Sequence, residues 1–84
     1  AGRGDAELHL RNAEDALRAG APLRQLAEAD LALRAGARGP RARFLLGDAL
    51  VKSGDLDRGC AYLRTLPRYP PAVARAGEAG CPPN

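Results

Sequence analysis

Tryptophan, methionine and isoleucine are missing from these 84 residues, phenylalanine occurs once, and valine and tyrosine twice each. Strands draw on β-branched and aromatic side chains, so this poverty argues against a sheet. No run of about 18 apolar residues is present, which excludes a helix able to cross a bilayer and any membrane insertion of that kind. One histidine and two cysteines fall short of a four-ligand metal site, so no metal or other cofactor is expected. His9 has Glu7 near it in sequence but on another helical face. No Ser or Cys has a basic partner at a recognisable spacing, and no Gly-rich loop follows a strand, so nothing points to an enzyme. The start, Ala1-Gly2-Arg3-Gly4-Asp5, lacks the apolar stretch of a secretion signal. The lack of Met even at position 1 reads as a processed or excised piece of a larger protein. The tripeptide Arg3-Gly4-Asp5 spells a cell-adhesion motif, but three residues match by chance too easily to carry weight.

What the chain does hold is alanine, 18 residues, and leucine, 13. Small and unbranched apolar residues in that proportion suit closely packed helices, in a single domain near the size where one core gives a narrow margin. The 13 basic residues, 12 of them arginine, outnumber 10 acidic ones for a net charge of +3. The signs are interspersed. Only Arg38, Arg41 and Arg43 gather, around Gly39-Pro40, and such a cluster reads as a solvated loop rather than the basic stripe of a nucleic-acid binder. Arg-rich single-strand binding would also want aromatic platforms, and Phe44, Tyr62 and Tyr69 are few and scattered. The bias toward Arg, Ala and Gly is that of a GC-rich, bacterial coding sequence.

Periodicity and punctuation predict five helices. Asp5 is a fair N-cap for the first, with Leu10, Ala13, Ala16 and Leu17 on one stripe and Gly20 as its left-handed stop. Pro22 opens the second, which runs to about Ala35 with Leu23, Leu26, Ala29, Ala32 and Leu33 inward. After Gly36-Ala37-Arg38-Gly39-Pro40, a third covers Arg41 to Lys52 with Phe44, Gly47, Leu50 and Val51 on one face. Gly54 stops it, and Asp55 caps a fourth from Leu56 to Leu66, ended by Pro67. A short fifth segment, Ala72 to Ala79, follows Pro70-Pro71, and Gly80-Cys81-Pro82-Pro83 closes the chain. Gly47 stands mid-helix at a cost of about 1 kcal/mol relative to Ala, which a neighbouring helix crossing at close range would offset.

Gly20 and Gly54 are 34 residues apart, and at that offset Leu10 matches Phe44, Ala13 matches Gly47 and Leu17 matches Val51. Charges echo as well: Glu14 with Asp48, Arg18 with Lys52, Arg24 with Arg58. A fixed period of this length is the mark of stacked helical hairpins.

Leu46-Gly47, Leu50, Gly54-Asp55, Gly59, Leu63 and Pro71, with Ala32-Leu33 in the first unit, give the chain a pattern that resembles the tetratricopeptide repeat. The resemblance implies an all-α fold of two antiparallel hairpins, at about 6–35 and 40–67, stacked in a right-handed superhelix with a C-terminal capping segment at 70–84. It covers about residues 6 to 71. Gln25 departs from it, standing where a small residue is usual, as do Asn12, Ala13 at the first crossing, Leu66 and Pro67. By the resemblance the module is non-catalytic and holds a protein or peptide. Its groove would use Glu7, Leu10, Glu14 and Arg18, with Arg11 at the edge, then Arg41, Phe44, Asp48 and Lys52, with Leu45 at the edge. The clamp by which one subclass grips C-terminal carboxylates is absent, since its slots hold Leu10, Glu14, Phe44 and Asp48. The groove then suits an amphipathic helix or an extended peptide, although Leu17 and Val51 serve equally well as interhelical core.

Two hairpins rarely stand alone, so further repeats upstream, a homo-oligomer or a covalent staple is expected. Cys60 on the fourth helix and Cys81 after the short fifth are placed for a disulfide, the alternative being two buried thiols. Closing that loop would contribute roughly 3 kcal/mol on the chain-entropy model and would require an oxidising compartment such as a bacterial periplasm. The expectation is an interaction module of an envelope assembly or signalling protein. The competing reading is a cytoplasmic regulatory helical domain associated with nucleic acid.

Overall fold

The computed structural model describes residues 3–82, and among them it contains five α-helices and no strand. These are α1 (Arg3–Arg18), α2 (Pro22–Arg34), α3 (Pro40–Lys52), α4 (Leu56–Arg64) and α5 (Pro70–Ala79). Ala1-Gly2 and Pro83-Asn84, where the sequence places the start and the close of the chain, lie outside the described residues.

Most helix ends follow from local chemistry. Proline stands in the first turn of α2, α3 and α5, where its missing N–H leaves no bond unmade and its φ is already helical. This draws the start of α5 back to Pro70, two residues before the expected Ala72. The turns after α1 and α3 are alike. Gly20 and Gly54 take φ of +68° and +94°, and the next N–H in each case (Ala21, Asp55) donates to the carbonyl of Ala16 or Leu50 at 2.9 Å. That six-residue closure satisfies carbonyls the helix would otherwise leave open.

Four expectations need correction, the first at Asp55, which holds the N-cap position of α4 but makes no side-chain cap bond, its carboxylate turning to Arg58 Nη1 at 3.4 Å. Asp5 is not a cap: Arg3 and Gly4 join α1, and Asp5 lies in its first turn, where its charge still favours the positive end of the macrodipole. α4 stops at Arg64 rather than Leu66, because Pro67 disfavours helical dihedrals in the residue before it. Thr65 Oγ1 takes up an end carbonyl by donating to Tyr62 O at 2.6 Å. Leu23 points outward, 73 % exposed, while the inward position of that turn goes to Gln25.

Consecutive helices pack in series, α1 on α2, α2 on α3, α3 on α4 and α4 on α5, and α3 also touches α1 and α5. α4 reaches neither α1 nor α2. The first part of the core joins Leu10, Ala13, Ala29 and Ala32 to Ala42, Leu45, Leu46 and Leu50. The second joins Leu63, Leu66 and Ala72, and Phe44 packs against both. Ala13, Ala16, Ala29 and Ala32 have no exposed surface at all, so α1 and α2 approach on methyl-sized side chains.

The α3–α4 crossing is closer still. A Cβ at Gly47 would lie 3.0 Å from Tyr62 Cβ and 3.2 Å from the Gly59 carbonyl oxygen. One at Gly59 would lie 2.6 Å from Val51 Cγ2, 2.8 Å from Val51 N and 2.9 Å from the Gly47 carbonyl oxygen. Two of those three neighbours are backbone, which cannot step aside without moving the helix.

Gly59→Ala is therefore expected to lower stability by about 1–3 kcal/mol, overpacking outweighing the gain in helix propensity. Gly77→Ala, where an added methyl meets nothing within 4 Å, should raise it by up to about 1 kcal/mol. Thermal melts followed by circular dichroism read the two opposite signs, at about 4–8 °C per kcal/mol for a domain of this size.

Candidate functional site

The polar groups of this domain gather along α1, α3 and α5. Glu14 on α1 accepts from Arg41 on α3, whose Nε donates at 3.1 Å and whose Nη2 makes the shorter second bond. That bonded carboxylate raises the Arg41 pKa further above its already high ordinary value. Thirty-four residues on, the contact recurs: Arg75 Nε on α5 lies 2.7 Å from Asp48 Oδ1 on α3. In both pairs the arginine follows its acid by 27 residues and stands on the next helix but one.

The two sites differ in depth. The Glu14 and Arg41 side chains are 29 % and 46 % exposed, whereas Asp48 is 1 % exposed. A carboxylate taken out of water needs partners on both oxygens. Asp48 Oδ2 accepts from Gln25 Nε2 at 2.9 Å and lies 2.8 Å from the Lys52 ammonium as an ion pair, while Arg75 faces Oδ1. The Arg75 contact lies off the hydrogen-bonding direction of Oδ1, so it acts through charge. Gln25, itself 1 % exposed, also donates from Nε2 to the Leu45 carbonyl at 2.8 Å. Its Oε1 has no hydrogen-bond partner among the described residues. Turning the amide over would set that oxygen against two acceptors, so the orientation is fixed by Leu45 O and Asp48.

A third polar group lies on the side of α1 and α2. His9 Nδ1 and Glu28 Oε1 are 2.8 Å apart, and Asn12 Nδ2 donates to the same oxygen at 3.1 Å. The bond from His9, with that from Asn12, holds the Glu28 carboxyl below its ordinary range.

The residues expected to face a partner divide. Leu10, Leu45 and Asp48 do not reach a surface: they are 4 %, 2 % and 1 % exposed, because the packing of α1, α2 and α3 takes both leucines into the core and Gln25 of α2 and Arg75 of α5 meet over Asp48. Phe44 is half-buried and its ring meets Tyr69 at 5.7 Å between centroids. Arg11, Arg18, Arg41 and Lys52 are exposed, and Glu14 and Glu7 stand among them. Arg18 turns to Asp15 at 2.6 Å. Leu17 and Val51 are half-buried and pack on the core. Cys60 and Cys81 form a disulfide, their Cα atoms 5.5 Å apart, which ties the second residue after α5 to the middle of α4. Among the described residues no group of three or more His, Cys, Asp or Glu side chains could hold a metal ion, and no helix is long and apolar enough to cross a membrane.

Gln25 and Arg75 are the members of the Asp48 network that sequence reasoning missed. The signal for Arg75 was present, since Arg41 and Arg75 are separated by the same 34 residues as Glu14 and Asp48. Gln25 registered only as an odd residue in a small-residue slot. No family model matches the chain, no curated protein matches it, and no solved structure matches it.

Asp48→Ala should cost about 1–3 kcal/mol, mainly by stranding the buried Gln25 amide, while Glu14→Ala at the matching exposed pair should cost less than about 1 kcal/mol. Urea titrations of both variants measure the difference. The lowered Glu28 carboxyl contributes stability that is present above the ordinary carboxylate range and lost as pH falls through the folded-state value. The melting-temperature gap between wild type and Glu28→Gln is thus expected to narrow from about pH 5 to about pH 3. A gap that widens toward acid would contradict the assignment.

Proposed function

We propose that this domain is a helical-repeat interaction module of tetratricopeptide type, non-catalytic and part of a larger bacterial protein, that binds a segment of a partner protein. The observation that carries the reading is the recurrence of one tie, Glu14 to Arg41 and Asp48 to Arg75, at the repeat spacing. It goes with the serial packing of helices, each on its near neighbours. Stacks of that kind offer one continuous face of successive first helices. With Leu10, Leu45 and Asp48 drawn inside, the face left to a partner is charged rather than apolar-floored. Its exposed cations Arg18, Arg41 and Lys52 already face Asp15, Glu14 and Asp48, and Arg11 stands with Glu7, so the two signs balance and the face suits a helix or extended peptide that carries both acidic and basic residues. The disulfide accords with an oxidising compartment such as the periplasm.

A peptide-display selection on the oxidised domain tests this. Enriched peptides should carry charges of both signs, and Arg11→Glu with Arg18→Glu should weaken them by about tenfold or more while circular dichroism shows the helices retained. Peptides indifferent to that double change would contradict the assigned face. Tighter binding to random duplex DNA, steeply lost with salt, would favour the nucleic-acid reading instead.

A further inference from the structure

α5 occupies, on the second hairpin, the place that α3 occupies on the first. Arg75 reaches back to Asp48 as Arg41 reaches back to Glu14. It fills that place thinly. α3 brings Leu45, Leu46 and Leu50 into the core, whereas α5 buries only Ala72, half-buries Ala76 and leaves Val73 51 % exposed. Gly77 stands within α5 with nothing within 4 Å of an added methyl. An open cleft of about 310 Å³ separates α5 from α4, bordered by Leu63, Arg64, Pro67, Val73, Ala76 and Cys81. Beneath α5 lie Phe44, Val51, Leu63 and Leu66. What holds so small a helix over so apolar a face is two ties, Arg75 on Asp48 and the bond from Cys60 to Cys81 across 21 residues.

We infer that α5 is a plug released by reduction, and that the face beneath it is a second docking site, for a basic amphipathic helix of a partner. Cys60 is buried, but Cys81 is half-buried and borders the open cleft, so a dithiol attacks the bond from the Cys81 side. The dithiol gives two electrons and two protons, the S–S bond breaks to leave the Cys60 and Cys81 thiols, and the dithiol closes to its own disulfide. The occupant is specified by what α5 lacks and by what Asp48 demands. It carries leucine-sized residues where α5 has Val73 and Ala76, which border the cleft, keeps an alanine where Ala72 is already fully buried, and has an arginine or lysine where α5 has Arg75, because an acidic helix would strand the buried carboxylate. This site does not depend on the surface proposed above.

The test uses the 84-residue chain and a fluorescein-labelled peptide of residues 68–82 carrying Val73→Leu, Ala76→Leu and Cys81→Ser. In dithiothreitol the peptide should bind about tenfold or more tighter than to the oxidised chain. A Cys60→Ser chain should bind it without reductant, and adding Arg75→Glu to the peptide should reverse the gain. Circular dichroism should show α1–α4 intact on reduction. Equal affinity in both redox states, indifference to Arg75→Glu, loss of most helical signal on reduction, or a dimer formed by exchange of α5 would each overturn the inference.

Discussion

Asp48 places a carboxylate where almost no solvent reaches it, and three helices are arranged around the consequences. An ion in that position is tolerated only while its partners stay in place. Those partners come from different elements: Gln25 from α2, Lys52 from one turn further along α3, Arg75 from α5. A slip of α2 along α3 would remove the Gln25 amide from both Asp48 and the Leu45 carbonyl at once. A shift of α5 would withdraw Arg75. The group therefore fixes register more than it adds cohesion, a role for which apolar contacts between alanine-rich helices are poorly suited, since methyl groups slide past one another at little cost.

Around that knot the domain is assembled from close approaches. Ala13, Ala16, Ala29 and Ala32 bring α1 and α2 together, and Gly47 and Gly59 bring α3 and α4 closer still. Small residues reduce the apolar area each helix can bury, so the stack relies on contact along its length and on ties between units. The tie from Glu14 to Arg41 is exposed and the tie from Asp48 to Arg75 is deep. One geometry thus serves as a surface pair at one junction and as part of a buried network at the next. At the far end the packing thins, and the Cys60–Cys81 bond supplies what apolar surface does not.

Much of this was legible before any coordinates. Five helices, the matched stops at Gly20 and Gly54 and the close crossing at Gly47 follow from periodicity, glycine chemistry and spacing, all of them local or nearly so, while the spacing of Cys60 and Cys81 allowed a bond without choosing it over two buried thiols. What was not legible depends on which neighbour covers which face. Gln25 and Asp48 are residue types that usually lie in solvent on a helix, and only the approach of α2 and α5 to α3 buries them. Leu10 and Leu45 were assigned to a groove by resemblance, yet the packing of α1, α2 and α3 makes them core. Leu23 illustrates the reverse, an apolar residue on the first turn of α2 left outside because Gln25 holds the inward position. The Arg41–Arg75 echo lay in plain view but gains meaning only beside the acids it serves.

The most direct test of the knot is a double-mutant cycle on Gln25 and Asp48, comparing unfolding free energies of Gln25→Ala, Asp48→Ala and the pair. A buried hydrogen bond to a charged group should appear as a coupling of about 1.5 kcal/mol or more. Losses that add to within about 0.3 kcal/mol would contradict it, showing that the two side chains are buried side by side without depending on each other.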